Sequence, residues 1–206
     1  MYNNERLILK AGGIQNLTDA RYFSSKAVDI VGFCFDTASA QYINPRDAQQ
    51  IMGWLEGPKR CGEFGRMEVK AIREAALILG LHYVQLVPEG SVDDYAGIEV
   101  PIILELPGNL PLADLLAYAE AWKGRAAYLL LDFNGVGQLP PLSTLQPLLQ
   151  HCAVLLSGPL APATVYEDAL QAGAAGLNLL GTPEAITGEK SFDELDLFFA
   201  LVEREL

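Results

Sequence analysis

Apolar runs of strand length recur along the chain at fairly even intervals: Leu7–Ala11, Asp29–Phe35, Arg60–Phe64, Tyr83–Val87, Val100–Leu106, Ala127–Asp132, Ala153–Ser157 and Ala175–Leu180. Most are continuous rather than alternating, as expected of strands buried on both faces of a parallel sheet. Between them, Leu17–Ala27, Pro45–Glu56, Met67–Leu79, Leu110–Lys123, Pro141–His151, Pro162–Gln171 and Ser191–Glu205 carry apolar residues at three-to-four spacing with charges on the opposite face, which predicts helices. Ser91–Ala96 has room for only a turn or two. Asn16 is placed to cap a helix starting at Leu17, and Asn44 stands before a proline at a first helical position. Gly57, Gly80, Gly124 and Gly173 fall where helices should stop.

Eight strand–helix units in 206 residues predict a single-domain (β/α)8 TIM barrel over 1–206, in a chain somewhat shorter than the class; about 250 residues is typical. An open doubly wound sheet would use the same local units. Lys10-Ala11-Gly12-Gly13-Ile14 lacks the glycine spacing of a dinucleotide fingerprint, however, and no acidic residue closes a second strand at the usual distance. In a barrel, chemistry is carried by the C-terminal ends of the strands and the loops that follow them.

Charge and composition narrow the partners. Fourteen Lys and Arg stand against 26 Asp and Glu, a net charge of −12 with no basic run, which argues against nucleic acid and anionic membrane. His82 and His151 are the only imidazoles and no zinc or calcium motif accompanies them, so no metal or other cofactor is expected. Cys34, Cys61 and Cys152 are odd in number and far apart, as for free thiols of a cytoplasmic protein, and read as small buried apolar residues. No leader-like segment or apolar stretch of about 20 residues occurs. Trp54 and Trp122, each inside a helical pattern, are expected to pack against the barrel.

The strand ends carry a resemblance. Lys10-Ala11-Gly12-Gly13-Ile14-Gln15-Asn16-Leu17-Thr18-Asp19-Ala20 is similar to the first strand of the phosphoribosylanthranilate isomerase family, which reads Lys-x-Cys-Gly-x-Thr or Arg followed by Asn-x-x-Asp-Ala. Gly32 through Pro45 follows the family's Gly-Phe-x-Phe-x-x-x-Ser-x-Arg-Tyr-x-x-Pro, and Val84-Gln85-Leu86, Leu129-Leu130-Leu131-Asp132 and the Gly and Leu of loop seven, Gly158 and Leu160, recur in order. The resemblance spans nearly the whole chain and is strongest through Pro45. It implies a metal-free Amadori rearrangement of N-(5-phosphoribosyl)anthranilate in tryptophan biosynthesis. A carboxylic acid protonates the ribose ring oxygen, the ring opens to an iminium, and a base removes the C2 proton.

The departures fall on that chemistry. By resemblance Asp132 keeps the acid, but Gly12 stands at the position of the base Cys, and Gln41 at that of the Arg that pairs with the anthranilate carboxylate. Val87 stands for a His, Asn178 for a strand Asp, and Leu180 and Gly181 for two Ser of the phosphate loop, while Pro159 removes a backbone donor. Lys10, Gln41, Gln85 and Asn178 remain as substrate-binding positions, and Gly158, Gly181 and Thr182 as phosphate-binding ones. A missing general base lowers a rate by ~10²–10⁴. Asp36, Glu63 and Glu105 lie in or beside strands and are candidate replacements. Lys10 reads either as a substrate contact or as the partner of a buried carboxylate such as Asp132, and Asp132 either as the acid or as a cap for its own loop. Three functions stay open: a weak or active isomerase; a non-catalytic barrel, monomer or homodimer, binding a small phosphorylated molecule or a protein partner; and a new reaction using Asp132 with another carboxylate.

Overall fold

The computed structural model describes residues 6–26, 28–136, 139–158, 165–180 and 192–205. Eight strands, β1 (Ile8–Gly12), β2 (Ile30–Cys34), β3 (Lys59–Glu63), β4 (Tyr83–Leu86), β5 (Ile102–Pro107), β6 (Ala126–Asp132), β7 (Val154–Ser157) and β8 (Gly176–Leu180), lie in chain order. Each pairs parallel with its neighbours, and β8 returns to β1 to close the barrel. The connecting helices are α1 (Leu17–Ser25), α2 (Pro45–Met52), α3 (Val69–Leu79), α4 (Leu112–Ala121), α5 (Gln146–His151), α6 (Val165–Ala172) and α7 (Asp193–Glu205). Between β4 and β5 the chain makes only a 3-10 turn, Val92–Tyr95, capped by Ser91 and Asp94. The eight-unit barrel is thus the one the sequence predicts.

The strand runs that look uniformly apolar alternate at the barrel wall. Leu9, Val31, Phe33, Leu104, Leu131 and Leu156 belong to the large core shared with the helices. Their chain neighbours Ile8, Ile30, Ile103, Leu130 and Leu155 form a second cluster, joined by Cys61, that fills the barrel's own interior. Polar residues share the inner phase: Lys10, Glu63, Gln85, Ser157 and Asn178 are all buried. Apolar packing below therefore supports a polar layer above it, toward the strand C-termini.

Local signals decide most boundaries. The Asn16 side chain accepts from the Asp19 amide at 2.9 Å, and that of Asn44 from the Arg46 amide at 2.9 Å ahead of Pro45. Gly80 ends α3 in the left-handed region, φ +58°, where its missing Cβ removes the steric penalty. The helix expected over Pro141–His151 breaks into a 3-10 turn, Leu142–Leu145, and α5. Pro147 lacks the N–H that a continuous helix would use, so it stands in a new first turn instead. Trp122 is packed as expected at 3% exposure, but Trp54 is 71% exposed, because α2 stops at Met52 and carries the chain off its buried face before Trp54. Cys152 is only partly buried, at the end of α5 rather than inside a strand. The predicted helix starts at Pro162 and Ser191, and Ala27, lie outside the described residues.

Candidate active site at the barrel mouth

Strand register brings distant residues of the sequence into one layer. Lys10 lies opposite Asn178 of β8, Glu63 opposite Gln85 of β4, and Asp132 opposite Ser157 of β7. The Lys10 ammonium, fully buried, forms an ion pair with Glu63 and donates to Asn178 Oδ1 at 2.8 Å. Asn178 Nδ2 donates to Ser157 Oγ at 3.0 Å, and Asn134 Nδ2 reaches the same oxygen at 3.2 Å and Asp132 Oδ1 at 2.5 Å. One hydrogen-bonded chain thus runs from β3 through β1, β8 and β7 to the end of β6. Burial alone would pull the Lys10 pKa down; the adjacent Glu63 charge and hydrogen bond outweigh it and hold it up, so the ammonium stays charged. Of the two sequence readings of Lys10, pairing with a buried carboxylate is realised, and the partner is Glu63 rather than Asp132.

Above this layer opens a cavity of about 170 Å³, with Glu63, Gln85, Glu105, Asp132 and Asn178 in its wall and Gln41 at its edge. A neighbouring lobe of about 260 Å³ shares Glu105 and Asp132 with it and adds Arg66, Val87 and Pro107. The sequence candidates are therefore brought together, with three exceptions. Gly158 follows β7, but a Cβ there would meet Phe133, and it points no side chain anywhere. Gly181 and Thr182, the remaining phosphate positions, lie outside the described residues. Asp132 also caps its own loop, since the Asn134 amide donates to Oδ1 at 3.1 Å, yet it still lines both lobes.

The three candidate replacement bases separate on geometry. Asp36 is turned into its own loop, where Oδ1 accepts from the Ala38 amide at 2.9 Å and Oδ2 lies over Gly65. Glu105 accepts from Gln85 Nε2 at 2.8 Å. Burial pushes the Glu105 carboxyl up, the Gln85 bond opposes this, and the charges of Glu63 and Asp132 add to the rise. Glu105 thus holds a proton more readily than a free carboxyl. Glu63 alone reaches toward Gly12: a Cβ built there would lie 2.9 Å from Oε1. The thiols do not substitute for it. Burial raises Cys34 at the mouth, against weaker bonds to Ser39 and the Asp36 carbonyl, and pushes Cys61 below it up to about 12; both stay protonated at neutral pH.

The raised Glu105 pKa has a measurable sign. The native state binds this proton more tightly than the unfolded chain, so stability falls as pH rises from the ordinary glutamate value of 4.5 through the raised native value. Glu105→Gln, uncharged at every pH, should be more stable than wild type at about pH 8 and should converge with it near about pH 4. Urea unfolding at the two pH values checks this; an equal difference at both would remove the assigned shift.

The closed parallel barrel thus gathers a strand-end aspartate, an ion-paired carboxylate and amide side chains around one cavity at its strand C-termini, the end at which barrel enzymes carry their chemistry. No protein-family model matches the chain. It is 28% identical over 204 residues to the N-(5'-phosphoribosyl)anthranilate isomerase of Sulfurovum sp., with 92% of this chain and 95% of that protein covered. Its identity to the enzyme of the same name from Thermotoga maritima is 29% over 200 residues, with the same coverage. A crystal structure of phosphoribosyl anthranilate isomerase in complex with reduced 1-(O-carboxyphenylamino)-1-deoxyribulose 5-phosphate superposes with a TM-score of 0.81 at 25% identity, covering 96% of this chain and 99% of that one. Over nearly its whole length the chain is similar in sequence and in fold to phosphoribosylanthranilate isomerases. Among the described residues, no helix is long and apolar enough to cross a membrane.

What sequence reasoning missed was the pairing inside the barrel. The sequence does not distinguish Glu63 from Asp36 and Glu105, and nothing local to Gly32 shows that it leaves room for a side chain from β3. The available signal was the single polar residue within otherwise apolar strands: Lys10, Gln85, Ser157 and Asn178.

Proposed function

We propose that this chain is an acid–base isomerase of N-ribosyl amine phosphates, with Asp132 as the donor to the ribose ring oxygen, and that it turns over N-(5'-phosphoribosyl)anthranilate slowly. The observation that carries this reading is Asp132 itself, at the C-terminal end of β6 in the wall of the cavity that Asn178 and Gln85 share. Lys10 and Asn178 then order the polar layer beneath the sugar, and Gly158 with Gly181 and Thr182 would receive the phosphate. The slowness follows from two positions. Gly12 offers no proton acceptor of its own, so any base has to reach the sugar from another strand, and Gln41 can hydrogen-bond a carboxylate but cannot form a charged bidentate pair with it. Around the cavity the described side chains add acidic groups and no free cation, which further disfavours an anionic aromatic ring there.

Loss of substrate fluorescence with purified protein tests this. Wild type should turn over above the uncatalysed rate and below ordinary enzyme rates, and Asp132→Asn should lower kcat by about 10²-fold. Turnover at ordinary rates would sink the argument from positions 12 and 41. Turnover indifferent to Asp132→Asn would sink the donor. A second reading, a barrel that binds without reacting, is favoured by one feature: Asn134 already occupies Asp132 Oδ1 with two hydrogen bonds. Absence of any catalysed turnover, with phosphate or product binding retained by calorimetry, would select it.

A further inference from the structure

The carboxylate of Glu63 stands where a side chain at position 12 would begin. A Cβ on Gly12 would meet Glu63 Oε1 at 2.9 Å and Asn178 Oδ1 at 3.2 Å. A Cβ on Gly32 would come within 2.0 Å of the same Glu63 oxygen and 2.7 Å of its carboxyl carbon. Two glycines on adjacent strands thus leave the berth that Glu63 fills from the third. It is held there at both oxygens, by the Lys10 ammonium on Oε1 and by the Gly13 amide on Oε2 at 3.1 Å. A carboxylate has about four acceptor sites, so lone pairs remain beyond these two bonds. The carboxylate also lines the cavity that Asp132 lines.

We infer that Glu63 is the general base of this barrel, supplied from β3 across the bare backbone of β1. The inference rests on the isomerase reading above and completes its proton balance. Asp132 gives its proton to the ring oxygen as the C1–O bond breaks and the C1–N iminium forms. Glu63 takes the C2 proton, and the C–H electron pair becomes the C1–C2 double bond while nitrogen recovers its lone pair. The resulting enol becomes the ketone when Glu63 returns its proton to C1 and the O2 proton passes through solvent to Asp132. No electrons are exchanged with any other group, and both carboxyl groups end as they began.

The test follows turnover of N-(5'-phosphoribosyl)anthranilate by the full chain, with folding of every variant confirmed by circular dichroism. Glu63→Gln should lower kcat by about 10²-fold with a smaller change in KM, and the acid limb of its kcat against pH should disappear. Glu63→Asp keeps the charge opposite Lys10 but withdraws the carboxylate by one methylene, and should lose most of the same rate while remaining as stable as wild type. Gly12→Cys in a Glu63→Ala background should regain turnover relative to Glu63→Ala alone, because the thiol then enters the vacated berth; Gly12→Cys alone should not gain. Full activity in Glu63→Gln with loss in Asp132→Asn would overturn the assignment of the base and leave the isomerase reading standing. No catalysed turnover by wild type would overturn both.

Discussion

Lys10→Met should cost about 3–5 kcal/mol of stability, the range found when one member of a buried ion pair is removed. The ammonium is fully buried and holds both Glu63 and Asn178. Without it, Glu63 keeps only the Gly13 amide, and its charge remains in a site walled by strand backbone. The loss measures an uncompensated charge and not the worth of the pair, so Lys10→Met/Glu63→Gln should recover most of it. Equilibrium unfolding in urea reads both: a lowered midpoint at unchanged slope in the single variant, and a midpoint near wild type in the double. A single variant within about 1 kcal/mol of wild type would mean that water reaches the ammonium and that the layer is not sealed.

The second large effect is expected at the seam where the barrel closes. A Cβ on Gly176 would lie 2.2 Å from the Ile8 carbonyl oxygen and 2.9 Å from the Ile8 carbonyl carbon. Gly176 pairs with Ile8 across β8 and β1, the contact by which the last strand finds the first. The obstacle is backbone within a ladder, so it cannot rotate away as a flexible side chain would. Gly176→Ala should therefore cost about 3 kcal/mol, the upper part of the range for overpacked cores. Gly135→Ala, where an added Cβ meets nothing within 4 Å, is the matched control, and it should stay within about 0.5 kcal/mol of wild type. A Gly176→Ala variant as stable as the control would show that the seam can open by a few tenths of an ångström without loss.

Much of this was legible before any coordinates. Strand period and helix period are local properties, so the eight units, the Asn16 and Asn44 caps and the left-handed stop at Gly80 follow from neighbouring residues alone. Pro147 shows the limit of period: the apolar spacing over Pro141–His151 is helical, but one missing N–H divides the segment. Trp54 shows another, since its place in a helical pattern says nothing about where the helix ends. The site was half legible. Asp132, Asn178 and Gln85 could be placed at the mouth from their strand ends, because barrel closure brings all such ends together. The Lys10–Glu63 pair could not, because β1 and β3 are not neighbours in the wall and reach each other only across the interior, over a position where β2 has no side chain.

Because Glu63 rests on Gly12 and Gly32, codons 12, 32 and 63 are epistatically locked. Any larger residue at either glycine is penalised while the glutamate stays, and the glutamate cannot leave without stranding Lys10. One-step mutational routes toward a different chemistry at this rim are therefore closed, and a directed-evolution library built on this scaffold would have to randomise the three positions together, with residue 10 as a fourth.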